Sequence, residues 1–169
     1  MLAELTIEEA RAIQQSNPEI VIHYAPGGGA NRDSTMQVSR PPFDDLRVRK
    51  AMQKAINLPE IAQYYYFGQA TSEPYGLGGP TVVELGFDAG VDDWPEDVRE
   101  GYRYDPEAAR QLLADAGYPD GFSFVYDASP DVDLDLMQLY KHYWSKIGVN
   151  ATINVLSSPA ATYNRAYKG

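Results

Sequence analysis

The sequence predicts an α/β fold, with a mixed sheet flanked by helices. Three segments carry that reading. Residues 122–155 read strand, helix, strand. Residues 105–117 read as a helix with a marked start and stop. Residues 40–57 read as a capped amphipathic helix behind two prolines. A strand–helix–strand run of this length is a βαβ unit, whose two strands lie parallel in one sheet with a right-handed crossover.

Along the chain, Thr6-Ile7-Glu8-Glu9 fits a capping box and starts a helix over about 7–15, which Asn17-Pro18 ends. Glu19 to Tyr24 reads as a strand, followed by a break at Pro26-Gly27-Gly28-Gly29. A short extended segment, about Ser34 to Val38, leads to Pro41-Pro42. Asp44 or Asp45 can cap the next helix, in which Val48, Met52, Ala55 and Ile56 recur at helical spacing. Asn57 can cap a further helix with Pro59 in its first turn, closed by Gly68. Gln69 to Arg103 reads as a long irregular covering, rich in glycine and proline but also in aromatic residues.

Asp105-Pro106 then starts a helix with Ala108, Ala109, Leu112, Leu113 and Ala116 on its buried face, and Gly117 ends it. Tyr118-Pro119-Asp120-Gly121 is a turn and 122–126 a strand. Ser129 to Asp133 begins a helix carrying Leu134, Met137, Leu139, Tyr140, Tyr143, Trp144 and Ile147 as far as Gly148. Val149 to Val155 alternates as a strand should, and Pro159 starts a last helix that the chain end cuts short.

Composition bounds the function. A chain of 169 residues with 44% hydrophobic and 22% charged residues is of one-domain size and globular. Its net charge of −10 argues against nucleic acid and against docking on anionic membranes. With no cysteine, thiol catalysis, disulfides and Cys-ligated metals are excluded. No transmembrane run is present, and the first residues lack the pattern of a signal peptide. The expectation is a cytosolic protein or a piece of a longer one.

No catalytic or metal motif emerges. The glycine clusters at 27–29 and 76–79 lack phosphate-loop spacing. Asp131-Val132-Asp133-Leu134-Asp135 opens like an EF-hand loop, but the sixth place holds Leu136 and the twelfth His142, which rejects it. His23 and His142 have no ligand-spaced partner. Thirteen tyrosines, five phenylalanines and two tryptophans suit either a tyrosine-rich core or a site closing on small molecules or peptides.

Three runs resemble one family. They are Pro41-Pro42-Phe43-Asp44-Asp45-Leu46-Arg47-Val48-Arg49-Lys50-Ala51 with Ala55-Ile56; Tyr104-Asp105-Pro106-Glu107-Ala108-Ala109-Arg110-Gln111-Leu112-Leu113 on to Gly121-Phe122; and Lys146-Ile147-Gly148-Val149-Asn150-Ala151. In this order and spacing they resemble the family 5 extracellular solute-binding proteins, the dipeptide- and oligopeptide-binding components of ABC importers. The resemblance implies a type II periplasmic-binding-protein-like fold, two α/β lobes closing on a ligand. Residues 1–32 would be the end of the first lobe and the hinge crossing, and 33–169 an incomplete second, C-terminal lobe. The expectation is thus a fragment of a longer chain.

The resemblance implies a binding protein, not an enzyme, with no cofactor and no metal. Its ligand would be a peptide or similar small solute, and its partner an ABC permease reached through the full-length protein. The location would be periplasmic or extracellular, with lipoprotein attachment possible and no membrane insertion by this segment. The cleft-lining candidates are Asp33, Thr35 and Gln37, before the Pro-Pro-Phe motif, and Asp127 and Ser129, after the 122–126 strand. Gln37 stands where asparagine is more usual. Ser129 and Asp131 can instead be read as caps of the following helix. A self-contained α/β hydrolase or transferase with Asp/Glu chemistry, or a structural interaction domain, are the alternatives in other function classes.

Overall fold

A computed structural model describes residues 7–22, 34–70, 72 and 93–168, with side chains to Arg165. It divides into two compact units: residues 1–31 with 58–94, and residues 32–57 with 95–169.

In the first unit, α1 spans Ile7–Ser16 with Glu8 and Glu9 in its first turn, where the helix dipole favours them. Thr6, half of the expected capping box, lies outside the described residues. The strand expected from Glu19 is corrected. Asn17 donates to the Ile13 carbonyl from both backbone (2.9 Å) and side chain (3.1 Å), and Ile20 N–H closes a turn on Asn17 at 3.0 Å. These bonds turn the chain, and Val21 is 70% exposed, so the apolar run has no sheet to enter among the described residues. His23 and Tyr24, like the glycine clusters at 27–29 and 76–79, lie outside the described residues.

Helix α3 begins at Leu58–Glu60 and widens into a π turn over Ile61–Tyr65, closed by Tyr66 N–H on the Ile61 carbonyl at 3.1 Å. Gly68 ends it at φ +73°, as its place in the sequence predicts. The Arg11 guanidinium stacks over the Phe67 ring, 4.4 Å from its centroid.

The second unit holds α2 (Leu46–Lys54), α4 (Glu96–Tyr102), α5 (Pro106–Asp115), β1 (Phe122–Ala128), α6 (Leu134–Ser145), β2 (Val149–Val155) and α7 (Pro159–Lys168). The strands pair in parallel, Phe122 with Val149 through Ala128 with Val155, so 122–155 is the expected βαβ unit. Three of these helix starts follow from an aspartate. Asp45 accepts from Arg47 N–H at 2.8 Å, Asp105 from Ala108 N–H at 2.9 Å and Asp133 from Leu136 N–H at 3.0 Å. Asp45 rather than Asp44 therefore caps α2.

Helix α4 corrects the long irregular stretch. Pro95 and Gly101 mark the ends of a short helix instead of breaking it, and ion pairs Arg99–Glu96 (2.7 Å) and Arg103–Glu100 (2.7 Å) link its turns. Its anchor is Lys54, whose ammonium donates to both the carbonyl and the carboxylate of Glu100 at 2.8 Å.

The core lies where α2, α5 and α6 meet the strands. Val48, Ala51, Met52, Ala109, Leu113, Trp144 and Val149 are essentially fully buried. Strand alternation sends Phe122, Phe124 and Tyr126 to one face. There Phe43 meets Phe122 and Phe124 edge-on at 5.8 and 5.2 Å, and Trp144 meets Phe124 and Tyr126 at 5.7 and 5.4 Å. The phenylalanine of the Pro-Pro-Phe motif thus fastens the start of α2 to β1. Much of the aromatic content of this unit is core.

Candidate functional site

The carboxyl ends of two parallel strands point the same way, and in α/β sheets that end is where ligands bind. Here it is formed by Tyr126, Asp127 and Ala128 of β1 with Asn154 and Val155 of β2. Asp127 and Asn154 are register partners, and Asn154 Nδ2 donates to Asp127 Oδ1 at 2.6 Å. The other carboxylate oxygen, Oδ2, pairs with Arg165 Nε of α7 at 2.6 Å. One carboxylate therefore ties β1, β2 and α7 together.

The segment before the Pro-Pro-Phe motif reaches the same end of β1. Ser34 hydrogen-bonds through its hydroxyl to the hydroxyl of Tyr126. Thr35 and Gln37 follow directly and are exposed. Asp33 lies outside the described residues. Neighbouring strand residues point to opposite faces, so Tyr126 and Asp127 leave β1 on opposite sides. Of the segment that carries Thr35 and Gln37, Ser34 is the residue seen to meet β1, on its Tyr126 side, while Asp127 leaves the same strand on the other.

Ser129 donates its hydroxyl to the Asp131 carboxylate. That bond holds the Asp131 carboxyl below the ordinary aspartate range, helped by Asp131's own backbone N–H and opposed by partial desolvation. Neither residue caps α6, which corrects that reading. The helix begins at Leu134 and Asp133 is its cap, because Asp133 lies directly before the first helical residue and its Oδ1 reaches Leu136 N–H. Ser129 and Asp131 form a polar pair of their own in the loop after β1.

Sequence reasoning missed Tyr126, Asn154 and Arg165. Tyr126 reads as one more apolar strand residue. Asn154 becomes visible only once the register sets it opposite Asp127. Arg165 sits in a helix that the sequence shows only by its starting proline. The described residues include no group of three or more His, Asp or Glu placed to hold a metal ion, and His142 is exposed. What the strand end offers is carboxylate, amide, guanidinium and hydroxyl groups in hydrogen-bonded pairs, chemistry suited to holding a polar solute.

Residues 2–169 match the model of the bacterial extracellular solute-binding proteins, family 5. The chain belongs to this family. Among curated relatives it is similar to the glutathione-binding protein GsiB of Escherichia coli O1:K1, 28% identical over 152 residues, which are 89% of this chain and 27% of the relative. It is also similar to the heme-binding protein A of Haemophilus influenzae, 32% identical over 76% of this chain and 22% of the relative.

Among solved structures, the periplasmic binding protein DppA of Helicobacter pylori in complex with peptide STSA matches with a TM-score of 0.63 at 25% identity, over 77% of this chain and 23% of that one. The dipeptide-binding protein of a Pseudoalteromonas species in complex with Met-Leu matches with a TM-score of 0.58 at 29% identity, over 73% and 24%. The fold is that of periplasmic binding proteins, and the relatives are binding proteins by name. The chain spans about a quarter of the length of the family relatives it matches. Among the described residues no helix is long and apolar enough to cross a membrane.

Proposed function

We propose that this chain is part of the substrate-binding component of an ABC importer. The protein takes a peptide or similar small solute by closure of two lobes and delivers it to the permease. The observation that carries the reading is the Ser34–Tyr126 hydrogen bond. It ties the segment that begins at Ser34 to the strand whose end leads into the loop of Ser129 and Asp131, in a chain that matches the family model from residue 2 to residue 169. Asp33, Thr35, Gln37, Asp127 and Ser129 are the proposed ligand-facing residues, with Asp127 acting partly through its pairing to Asn154 and Arg165.

Residues 1–32 are read as the end of the first lobe and the hinge crossing, and 33–169 as an incomplete second lobe. The start of the second compact unit at Arg32 supports a boundary there, while 58–94 clusters with residues 1–31 and enters the second lobe on the family pattern alone. The working location is periplasmic or extracellular, with lipid anchoring of the whole protein compatible with it. Relatives named for glutathione, heme and peptide binding support a small polar or amphipathic solute.

Calorimetry with di- to pentapeptides tests the reading. The whole protein carrying this chain binds at least one of them with a micromolar or tighter Kd, and these 169 residues alone bind weakly or not at all. Tight binding by the 169 residues alone overturns the two-lobe account. Turnover of the peptides overturns the assignment to binding.

A further inference from the structure

Asn150-Ala151-Thr152 is an Asn-x-Thr triplet, the acceptor sequence of N-linked glycosylation, and Asn17, Asn31, Asn57, Asn154 and Asn164 begin none. The fold presents this triplet to solvent. Asn150 is the second residue of β2, and Thr152, two residues on, leaves the strand on the same face. Both are exposed. The side-chain amide of Asn150 makes one hydrogen bond among the described residues, a local one to the Gly148 carbonyl at 3.3 Å. Across the register, Ser123 stands opposite Asn150 and Val125 opposite Thr152, both exposed. A parallel sheet covered on both faces reads as unbroken apolar runs. Here Asn150, Thr152 and Asn154 alternate with Val149, Ala151, Ile153 and Val155, so one face of β2 is polar while the other carries the core. Val125, 54% exposed, is the apolar side chain on the polar face.

We propose that Asn150 is the acceptor of an N-linked glycan, an inference that rests on the periplasmic or extracellular location proposed above. The donor class is a glycan carried on a lipid phosphate, a carrier that presents sugars at the outer face of a membrane. Asn150 Nδ2 forms a bond to the anomeric carbon of that glycan. The bond from this carbon to the carrier's phosphate oxygen breaks, its electron pair stays with the phosphate, and the amide gives up one proton to a base of the transferase. The Thr152 hydroxyl completes the triplet that the transferase reads. The site stands clear of the candidate solute site, since Asn150 precedes Asn154 by four residues, about 13 Å along an extended strand. An attached sugar stands diagonally across from Val125, and the C–H face of its ring covers an apolar side chain that the protein leaves open.

The test is mass spectrometry on the whole protein carrying this chain, recovered by cell fractionation from the organism that makes it. Trypsin cuts after Lys146 and Arg165, which leaves Asn150 in a peptide of residues 147–165. The expected result is that this peptide is heavier by the mass of one or more sugar residues, and that electron-transfer fragmentation puts the increment on Asn150. Asn150→Gln and Thr152→Val abolish the increment, and Thr152→Ser, which keeps the hydroxyl, retains it in whole or in part. An unmodified peptide in protein recovered from outside the cytoplasm overturns the inference while leaving the location intact. An increment that survives Asn150→Gln, or that maps to a serine or threonine of the same peptide, also overturns it. Protein recovered only from the cytoplasm overturns both the inference and the location beneath it.

Discussion

Gly121 and Gly148 face each other backbone to backbone at the start of the two strands. A Cβ built on Gly121 would lie 2.0 Å from the Gly148 carbonyl oxygen, and one on Gly148 would lie 3.0 Å from the Asp120 carbonyl oxygen. Both residues also hold positive φ, +77° and +82°. The register Phe122 with Val149 begins directly after them, so the close approach is where the sheet's pairing starts. Gly121→Ala adds a backbone clash to the cost of a left-handed L-residue, about 2–4 kcal/mol together. Gly148→Ala is milder, about 1–3 kcal/mol, because its nearest contact has more room. Gly101, in α4 with nothing within 4 Å of its Cβ position, is the contrast. Gly101→Ala stabilises by roughly 0.5–1 kcal/mol. Urea unfolding followed by circular dichroism ranks the three, and an equal effect at 121 and 101 would refute the account.

Trp144 donates its indole N–H to the Met52 carbonyl at 3.1 Å, inside the core. Met52 is in the last turn of α2, where carbonyls lose their helical partners, and the Ile56 N–H that would reach it goes to Gln53 instead. The tryptophan therefore fills the core and satisfies a buried acceptor at once. Trp144→Ala costs about 3–5 kcal/mol from lost packing and the cavity. Trp144→Phe keeps most of the packing but orphans the carbonyl, at about 1–3 kcal/mol. Thermal unfolding by circular dichroism checks the order, and a Trp144→Phe protein as stable as wild type would show that the hydrogen bond contributes nothing.

The Lys54–Glu100 pair should make the second unit sensitive to acid. The hydrogen bond from the Lys54 ammonium is the main cause that holds the Glu100 carboxyl below the ordinary glutamate range, and the charges of Lys54 and Arg103 add to it. Partial desolvation and Asp105 oppose it. A lowered folded-state pKa means that the pair's stabilisation is complete above the unfolded glutamate pKa. It is lost as pH falls through the folded value. Unfolding midpoints measured from about pH 7 down to about pH 3 will therefore drop less in Glu100→Gln than in wild type. A wild-type acid limb as shallow as the variant's would rule out Glu100 as a contributor.

The sequence was most informative where one residue sets local geometry. Asp105-Pro106 starts α5, Gly117 and Gly148 take the positive φ their places require, and the alternation of 149–155 is a strand. It was least informative where a short local bond outweighs a pattern. Asn17's two bonds to Ile13 turn a β-like run away from extension, and α4 forms across Pro95 and Gly101 because Lys54 reaches Glu100 from a different helix. The candidate site divides in the same way. Ser129 is legible as a polar residue after a strand, whereas Asp127, expected in the loop after residue 126, lies within β1 because the pairing with β2 runs on to Ala128. Asn154, Arg165 and Tyr126 depend on register and helix placement, and no spacing within the chain encodes those directly.

The three aspartate caps give a final test, since the sequence offers two near-misses beside them. Asp105 and Asp133 each accept a backbone N–H from the first turn of their helices, while Asp44 and Asp131 stand one or two residues from a cap and are exposed. Removing a capping oxygen leaves a first-turn donor without its partner. Asp105→Ala and Asp133→Ala should each cost about 0.5–2 kcal/mol. Asp105→Ala should sit at the upper end, because Asp105 N–H also bonds the Lys54 carbonyl at 2.9 Å and couples the start of α5 to the end of α2. Asp44→Ala and Asp131→Ala should leave the unfolding midpoint where it is, because Asp131's bond to Ser129 stays within one exposed loop. Denaturant midpoints for the four variants decide the matter. A midpoint for Asp131→Ala as low as that for Asp133→Ala would return the cap of α6 to the earlier residue and move the helix start with it.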